Sequence, residues 1–258
     1  MKDYSNYIFD LYATLVAIHT DETKPELWER SAAYLRRFGL LWHPQLLRSA
    51  YLKLCREAEA ALRQETGLTH VEIDLQKVFE TLLLTAPGTC PAQTPVTPAD
   101  ASALAAQFAL FFRETSREYL YPYPATHPFL EELRARGKKV FLLSNAQACF
   151  TRAELAQCGL ADAFDAVYLS SEHQMKKPEP RFLQKFLTEQ DLQPEDSLFL
   201  GNDLASDITL AQACGLDSVY LNTFGWSMRR IRSYLTRHRL DPSRITILAS
   251  GDLSDYRL

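Results

Sequence analysis

The sequence predicts an α/β fold, a doubly wound parallel sheet with an inserted helical domain. Three observations carry this expectation. From residue 126 to 223, apolar runs of strand length alternate with amphipathic stretches of helix length, the order that builds a parallel sheet covered on both faces. The runs are apolar without alternation, as strands buried on both sides are. Residues 24 to 120 break this rhythm and read as one helix after another.

Taken in order, the expected strands are "YIFD" (7–10), "KVFLLS" (139–144), "AVYLSS" (166–171), "SLFLGND" (197–203) and "SVYLNT" (218–223), with "ITILAS" (245–250) joining them. Between them lie "THPFLEELRARG", "CFTRAELAQCG", "PRFLQKFLTEQ" and "ASDITLAQACG". Three of these helical stretches end at or near Gly137, Gly159 and Gly215, and glycine is the commonest helix stop. In the insert, helices are expected over "KPELWERSAAYLRRFG", "HPQLLRSAYLKLCREAEAALRQ", "VEIDLQKVFETLLL" and "TPADASALAAQFALFFRETSREYL". Thr97 is placed to cap the last of these, with Pro98 at its first helical position. The Pro-rich connector over 86–97 reads as a loop. The resulting domain boundaries are 1–20 with 121–258 for the sheet core and 21–120 for the insert. Because the insert leaves just after Asp10, it is expected to form a lid over the edge of the sheet.

Composition narrows the function classes. The chain has 258 residues, 47% hydrophobic and 23% charged, with a formal net charge of −4. Such a chain can bury a large core, and its acidic balance gives no electrostatic reason to bind nucleic acid. No apolar run approaches the roughly 18 residues of a membrane span, and the first residues lack the apolar stretch of a secretory signal. The five cysteines (Cys55, Cys90, Cys149, Cys158, Cys214) contain no CxxC and read as reduced thiols. A cytoplasmic protein, monomeric or homodimeric, without nucleic-acid or membrane partners is the expectation. The six histidines show neither HxH nor HxxxH spacing, which argues against a transition-metal site.

In a parallel sheet all strand ends meet at one edge, where ligands bind. The ends carry Asp10 and Thr14, then Ser144 and Asn145, then Lys177 in "MKKPEP", then Asn202, Asp203 and Asp207. These four segments, "FDLYATL", "LLSNAQ", "KKPEP" and "LGNDLASD", resemble in order the four motifs of the haloacid dehalogenase-like hydrolase superfamily. The insert at 24–120 is similar in position to that family's helical cap of the first type. The resemblance covers nearly the whole chain and implies a Rossmann-like catalytic core with a cap domain.

It also implies roles. Asp10 would be the nucleophile that forms a covalent intermediate. Thr14 and Ser144 would bind the oxygens of the transferring group, with Asn145 beside them, and Lys177 would offset negative charge and keep Asp10 ionised. Asp203 and Asp207, with Asp10 and the Tyr12 backbone carbonyl, would hold Mg²⁺, which takes oxygen ligands. A pair of acids four apart at a helix start can instead complement the helix dipole. The fourth motif departs from the family's common "GD", because Asn202 follows Gly201 and the acid comes one residue late.

The first motif departs further. Where family phosphatases carry an aspartate as general acid and base, this chain has Tyr12. A phenol with a usual pKa of about 10 is a poor base at neutral pH, and general acid–base help is worth about 10²–10⁴-fold. The Tyr-for-Asp spelling is shared with the 2-haloacid dehalogenase branch, whose halide leaves without a proton. That branch should also have a cap arginine, for which Arg30, Arg36, Arg37, Arg48, Arg56 and Arg63 are candidates. Ala13, where the family usually has glycine, is expected to take an ordinary negative φ. Three readings stay open. The foremost is a Mg²⁺-dependent phosphatase acting on a small phosphorylated metabolite. The alternatives are a metal-independent 2-haloacid dehalogenase and a weakly active ligand- or partner-binding protein.

Three further features are read without function. "MRRIRSYLTRHR" (228–239) is expected to be a solvated helix face rather than a nucleic-acid surface. "PYP" at 122–124 marks the return from insert to core. His19 and Asp21, where the chain enters the insert, could face the substrate or serve as hinge residues.

Overall fold

In the computed structural model, residues 2–89 and 96–258 are described. Cys90 and the centre of the 86–97 connector lie outside the described residues.

Six strands form the main sheet: β1 (Asn6–Phe9), β4 (Lys139–Ser144), β5 (Ala166–Leu169), β6 (Ser197–Gly201), β7 (Asp217–Leu221) and β8 (Ile245–Leu248). Their order is β5-β4-β1-β6-β7-β8, and every neighbouring pair is parallel. β1 is central because its four residues are all buried and can pack on both faces. Phe9 faces the cluster containing Phe129, Leu130 and Leu155, while Ile8 faces the one containing Phe182, Phe186 and Phe199. Helices α5 (Thr126–Ala135) and α6 (Ala148–Gln157) supply the first layer. The one-turn α7 (Ser170–His173) follows β5. α8 (Pro180–Glu189) and α9 (Thr209–Ala213) supply the second layer. The central strands are in level register, with Phe9 paired to Leu142 on one side and Leu200 on the other. The residues that continue these strands therefore emerge side by side at one edge.

The insert folds around its own core. Helices α1 (Pro25–Arg36), α2 (Pro44–Thr66), α3 (Leu75–Leu84) and α4 (Pro98–Ser116) bury Trp28, Tyr51, Phe79, Phe108 and Phe112 together. Phe79 and Phe108 meet edge to face with centroids 5.1 Å apart, an arrangement worth about 0.5–1.5 kcal/mol beyond the buried area. Thr97 caps α4 as expected, in a capping box with Asp100 and with Pro98 at the first position.

The fold departs from the sequence expectations at several places, among them the third insert helix, which starts at Leu75 rather than Val71. The helix expected to run to Leu120 ends at Ser116, and Arg117–Pro122 is a strand, β3. It pairs antiparallel with β2 (Val16–Thr20) to make a two-stranded stem between core and insert. "REYLYP" carries β-prone tyrosines and ends in a proline, and the long-range partner "VAIHT" outweighs the helical pattern before it. "AVYLSS" stops at Leu169, and Ser170–His173 turns into α7. Ala13 has a φ of +60°, not the ordinary value expected. The turn after Asp10 is closed by the N–H groups of Thr14, Leu15 and Val16 on the Leu11 carbonyl and of Ala13 on Val16. These bonds hold alanine in a region that costs an L-residue about 1–2 kcal/mol.

The Arg-rich stretch is helix α10 (Met228–His238), packed on β7 and β8 through Ile231 and Leu235. Its five arginines, counting the capping Arg239, are exposed. No helix of the described residues is long and apolar enough to cross a membrane.

Candidate active site

Asp10 leaves β1 with its backbone N–H bonded to Leu200 of the adjacent β6, which aims its side chain into the edge between β4 and β6. It is buried. Ser144, at the end of β4, donates to its Oδ1 at 3.1 Å. The Lys177 ammonium donates to the same oxygen at 2.6 Å. Thr14 Oγ1 stands 3.1 Å from Asp10 Oδ2 and 3.3 Å from Asn202 Oδ1, and its one proton serves the nearer carboxylate.

Lys177 is held from every side. Its ammonium donates to Asp10, reaches Asp207 Oδ1 at 2.7 Å, and donates to the Leu143 carbonyl at 3.0 Å. That uses all three of its protons. Burial disfavours its charge, but the two carboxylates outweigh this and hold it above the usual lysine range. Asn145 does not touch Asp10. Its amide brackets the Lys177 backbone instead, accepting from the N–H at 2.8 Å and donating to the carbonyl at 3.0 Å.

Asp207 is fully enclosed, and burial pushes its carboxyl up to about 6 although Lys177 pulls the other way. Its Oδ2 accepts the Asp203 N–H at 3.0 Å. It packs so closely on β6 that a β-carbon on Gly201 would collide with its carboxylate. Glycine is required there for that reason.

Asp203 is placed differently from its neighbours. Its side chain is exposed and turns onto its own loop, accepting from Ala205 N at 2.9 Å and Ser206 Oγ at 2.9 Å. This caps the π-helical turn Leu204–Ile208 that leads into α9. The residue beside Thr14 and Asp10 is the buried Asn202, whose amide also donates to Thr223. Among the described residues no three His, Cys, Asp or Glu side chains are grouped to hold a metal ion. Mg²⁺ needs fewer protein ligands than that, since one or two carboxylates with waters and substrate oxygens suffice. Asp10 with the amide oxygen of Asn202 fits that requirement. Asp203 in this conformation does not.

Tyr12 turns away from the sheet edge. Its phenol donates to Glu154 Oε2 at 2.5 Å and accepts from Thr151 at 2.9 Å. Glu154 in turn binds Arg113 from α4 at 2.7 Å and Arg117 from β3 at 2.9 Å. Burial, and then the Glu154 charge, push the phenol far above its usual range. The six candidate arginines Arg30, Arg36, Arg37, Arg48, Arg56 and Arg63 are all exposed, whereas Arg113, which lies over the Tyr12 ring, and Arg117 are committed to Glu154. Sequence reasoning missed Glu154. The available signal was a carboxylate on the same helix face as Phe150, Thr151 and Leu155.

The insert closes on the core through a short segment. Lys176 N–H bonds to the His70 carbonyl at 3.0 Å and Glu72 N–H to the Gln174 carbonyl at 3.2 Å. The buried Gln147 reaches Ile73 and Leu75 with both ends of its amide. A cleft of about 660 Å³ opens here, lined by His70, Glu72, Asn145, Lys177, Tyr234 and His238. Burial pushes the Glu72 carboxyl up against the pull of Lys176, Ser170 and Gln147. His19 and Asp21 are taken by local contacts, His19 with Glu118 and Tyr119 and Asp21 with Thr23.

A model of haloacid dehalogenase-like hydrolases matches residues 4–215. The chain belongs to that family. Within the family, it is 34% identical over 149 residues to a phosphoserine phosphatase of Thermus thermophilus, covering 57% of this chain and 54% of that protein. The chain spans about half the length of curated relatives it matches. Two solved structures share the fold. A 2-haloacid dehalogenase of Pseudomonas syringae has a TM-score of 0.57 at 18% identity, covering 91% of this chain and 99% of that one. A HAD phosphatase of Thermococcus onnurineus has a TM-score of 0.52 at 19% identity, covering 86% and 88%.

Proposed function

We propose that this chain is a phosphoric monoester hydrolase that acts on a small phosphorylated molecule through a covalent intermediate on Asp10. The observation that carries the reading is the buried Asp10 carboxylate, bonded at once by Ser144, Thr14 and Lys177. Relatives named as phosphatases, the phosphoserine phosphatase of Thermus thermophilus among them, support it. Lys177 donates to Asp10 Oδ1 and orients the carboxylate, as a nucleophile requires. Ser144 and Thr14 offer hydroxyls to the phosphoryl oxygens. Asn145 positions Lys177 through its backbone. Mg²⁺, when bound, offsets the charge of the phosphoryl group. Asp10, Asn202 and the Tyr12 carbonyl would hold it, with Asp207 behind them through Lys177. The helical insert acts as a cap that excludes water when closed.

The test is phosphate release from an aryl phosphate with and without Mg²⁺, using Asp10→Asn as the control. Metal-dependent release lost in the variant supports the reading, and release equal in both rejects it. A second reading, hydrolysis of a 2-haloacid, is favoured by Tyr12 and Asn202, which stand where an acid is usual in family phosphatases. Halide release by the metal-free protein would establish that reading instead.

A further inference from the structure

Three carboxyl groups at this edge, Asp10, Asp207 and Asp203, share one property: each accepts hydrogen bonds or ion-pair contacts on both oxygens. For Asp10 the partners are Lys177 and Ser144 on one oxygen and Thr14 on the other. For Asp207 they are Lys177 and Asp203 N–H. Asp203 accepts from Ala205 N–H and Ser206. Each oxygen of these carboxyls is thus already turned to a donor of the protein itself. The Tyr12 phenol, at the position of the expected acid, spends its proton on Glu154, which two arginines fix in place. Lys177 spends all three of its own.

Resting on the phosphatase reading, we infer that the site takes phosphoryl donors whose leaving group departs as a stabilised anion, acyl phosphates above all, rather than phosphates of ordinary alcohols. An alkoxide must be protonated as it leaves, and among the described residues the hydroxyls and ammonium bonded around Asp10 have their protons turned to protein acceptors. A carboxylate leaves unaided. In the first step Asp10 attacks phosphorus, the bond from phosphorus to the bridging oxygen breaks, and the carboxylate departs with the electron pair. In the second, water attacks phosphorus and the bond to Asp10 breaks. The leaving group is then the Asp10 carboxylate itself, so no acid is needed there either, and the water proton passes to phosphate or solvent.

The experiment compares kcat/KM at saturating Mg²⁺ for acetyl phosphate, dinitrophenyl, nitrophenyl and phenyl phosphate, and glycerol phosphate. The inference expects a fall of at least about 100-fold from acetyl to glycerol phosphate, the scale of the missing acid. Rates within about tenfold across the series would overturn it while leaving the phosphatase reading intact, and would assign the proton to a cleft group such as His70 or His238. Absence of phosphate release from every member, beyond that of Asp10→Asn, would overturn the phosphatase reading and the inference with it. In a second arm, Tyr12→Asp is expected to raise glycerol phosphate turnover relative to acetyl phosphate by about tenfold or more. An unchanged ratio in a folded variant would contradict the inference. The wild-type series decides the matter if that variant does not fold.

Discussion

The Tyr12 phenol and Glu154 Oε2 lie 2.5 Å apart, joining the loop after the candidate nucleophile to a helix of the core. Through Arg113 and Arg117 the same carboxylate also holds the last turn of α4 and the first residue of β3. One buried group thus ties together the first motif and the stem of the insert. Loss of the Tyr12 hydroxyl in Tyr12→Phe is expected to cost about 1.5–3 kcal/mol, the range for a hydrogen bond to a charged group. Glu154→Ala strands two arginines and should cost about 3–5 kcal/mol. Urea denaturation checks both, and a loss below about half a kcal/mol in either would contradict this role.

Ala13 predicts a change in the opposite direction. Its φ of +60° strains an L-residue by about 1–2 kcal/mol, while glycine costs about 0.5–1 kcal/mol in chain entropy. Ala13→Gly should therefore stabilise the protein by up to about 1.5 kcal/mol. A lower denaturation midpoint would show that the loop prefers alanine.

At the fourth motif the expected change concerns metal affinity. Asn202→Asp places a carboxylate where an amide oxygen now faces Thr14, which also contacts Asp10. Mg²⁺ affinity rises with ligand charge, so half-maximal activity should be reached at a Mg²⁺ concentration lower by about tenfold or more. Asp203→Asn should move it little, since that carboxylate caps its own turn. If the two variants behave the other way round, Asp203 swings in to bind the ion.

Acid should weaken the fold at the base of the sheet. Asp217 is partly buried, which alone would raise its carboxyl, but Arg244, Lys2 and Tyr4 outweigh this and lower it to about 2. A carboxylate depressed below its unfolded value stabilises above the unfolded pKa, near 4, and loses that contribution as pH falls from about 4 to 2. The contribution is on the order of 2 kcal/mol at neutral pH, reduced by partial exposure. Asp217→Asn should lower stability at pH 7 and flatten its dependence in that window. Parallel acid limbs in the two proteins would contradict the assignment.

The sheet was legible because its strands are uninterrupted apolar runs, a pattern that burial on both faces imposes. The four strand-end motifs were legible for a related reason, since parallel strands bring their ends to one edge whatever lies between them. The end of α4 was not. "FFRETS" runs into "REYLYP" without a break, and only pairing with Val16–Thr20, about a hundred residues away, decides for strand. Local strain misled at Ala13, because the cost of positive φ is intrinsic whereas the hydrogen bonds that outweigh it are set by the turn. The sequence already showed Asn202 where the family pattern has an acid, but that Asn202 meets Thr14 while Asp203 turns onto its own loop is set by the register at the strand end. Glu154 was missed because its role rests on three side chains from elsewhere in the chain, Tyr12, Arg113 and Arg117.

Whether Asp10 is the nucleophile can be read from the intermediate itself. Turnover of a reactive phosphate such as acetyl phosphate is quenched with acid in the presence of Mg²⁺, and the modified peptide is mapped by mass. One phosphoryl group on Asp10 is expected, absent from Asp10→Asn. Phosphate release with the label on another residue, or halide release from a 2-haloacid with no phosphoryl adduct, would contradict a phosphatase working through Asp10.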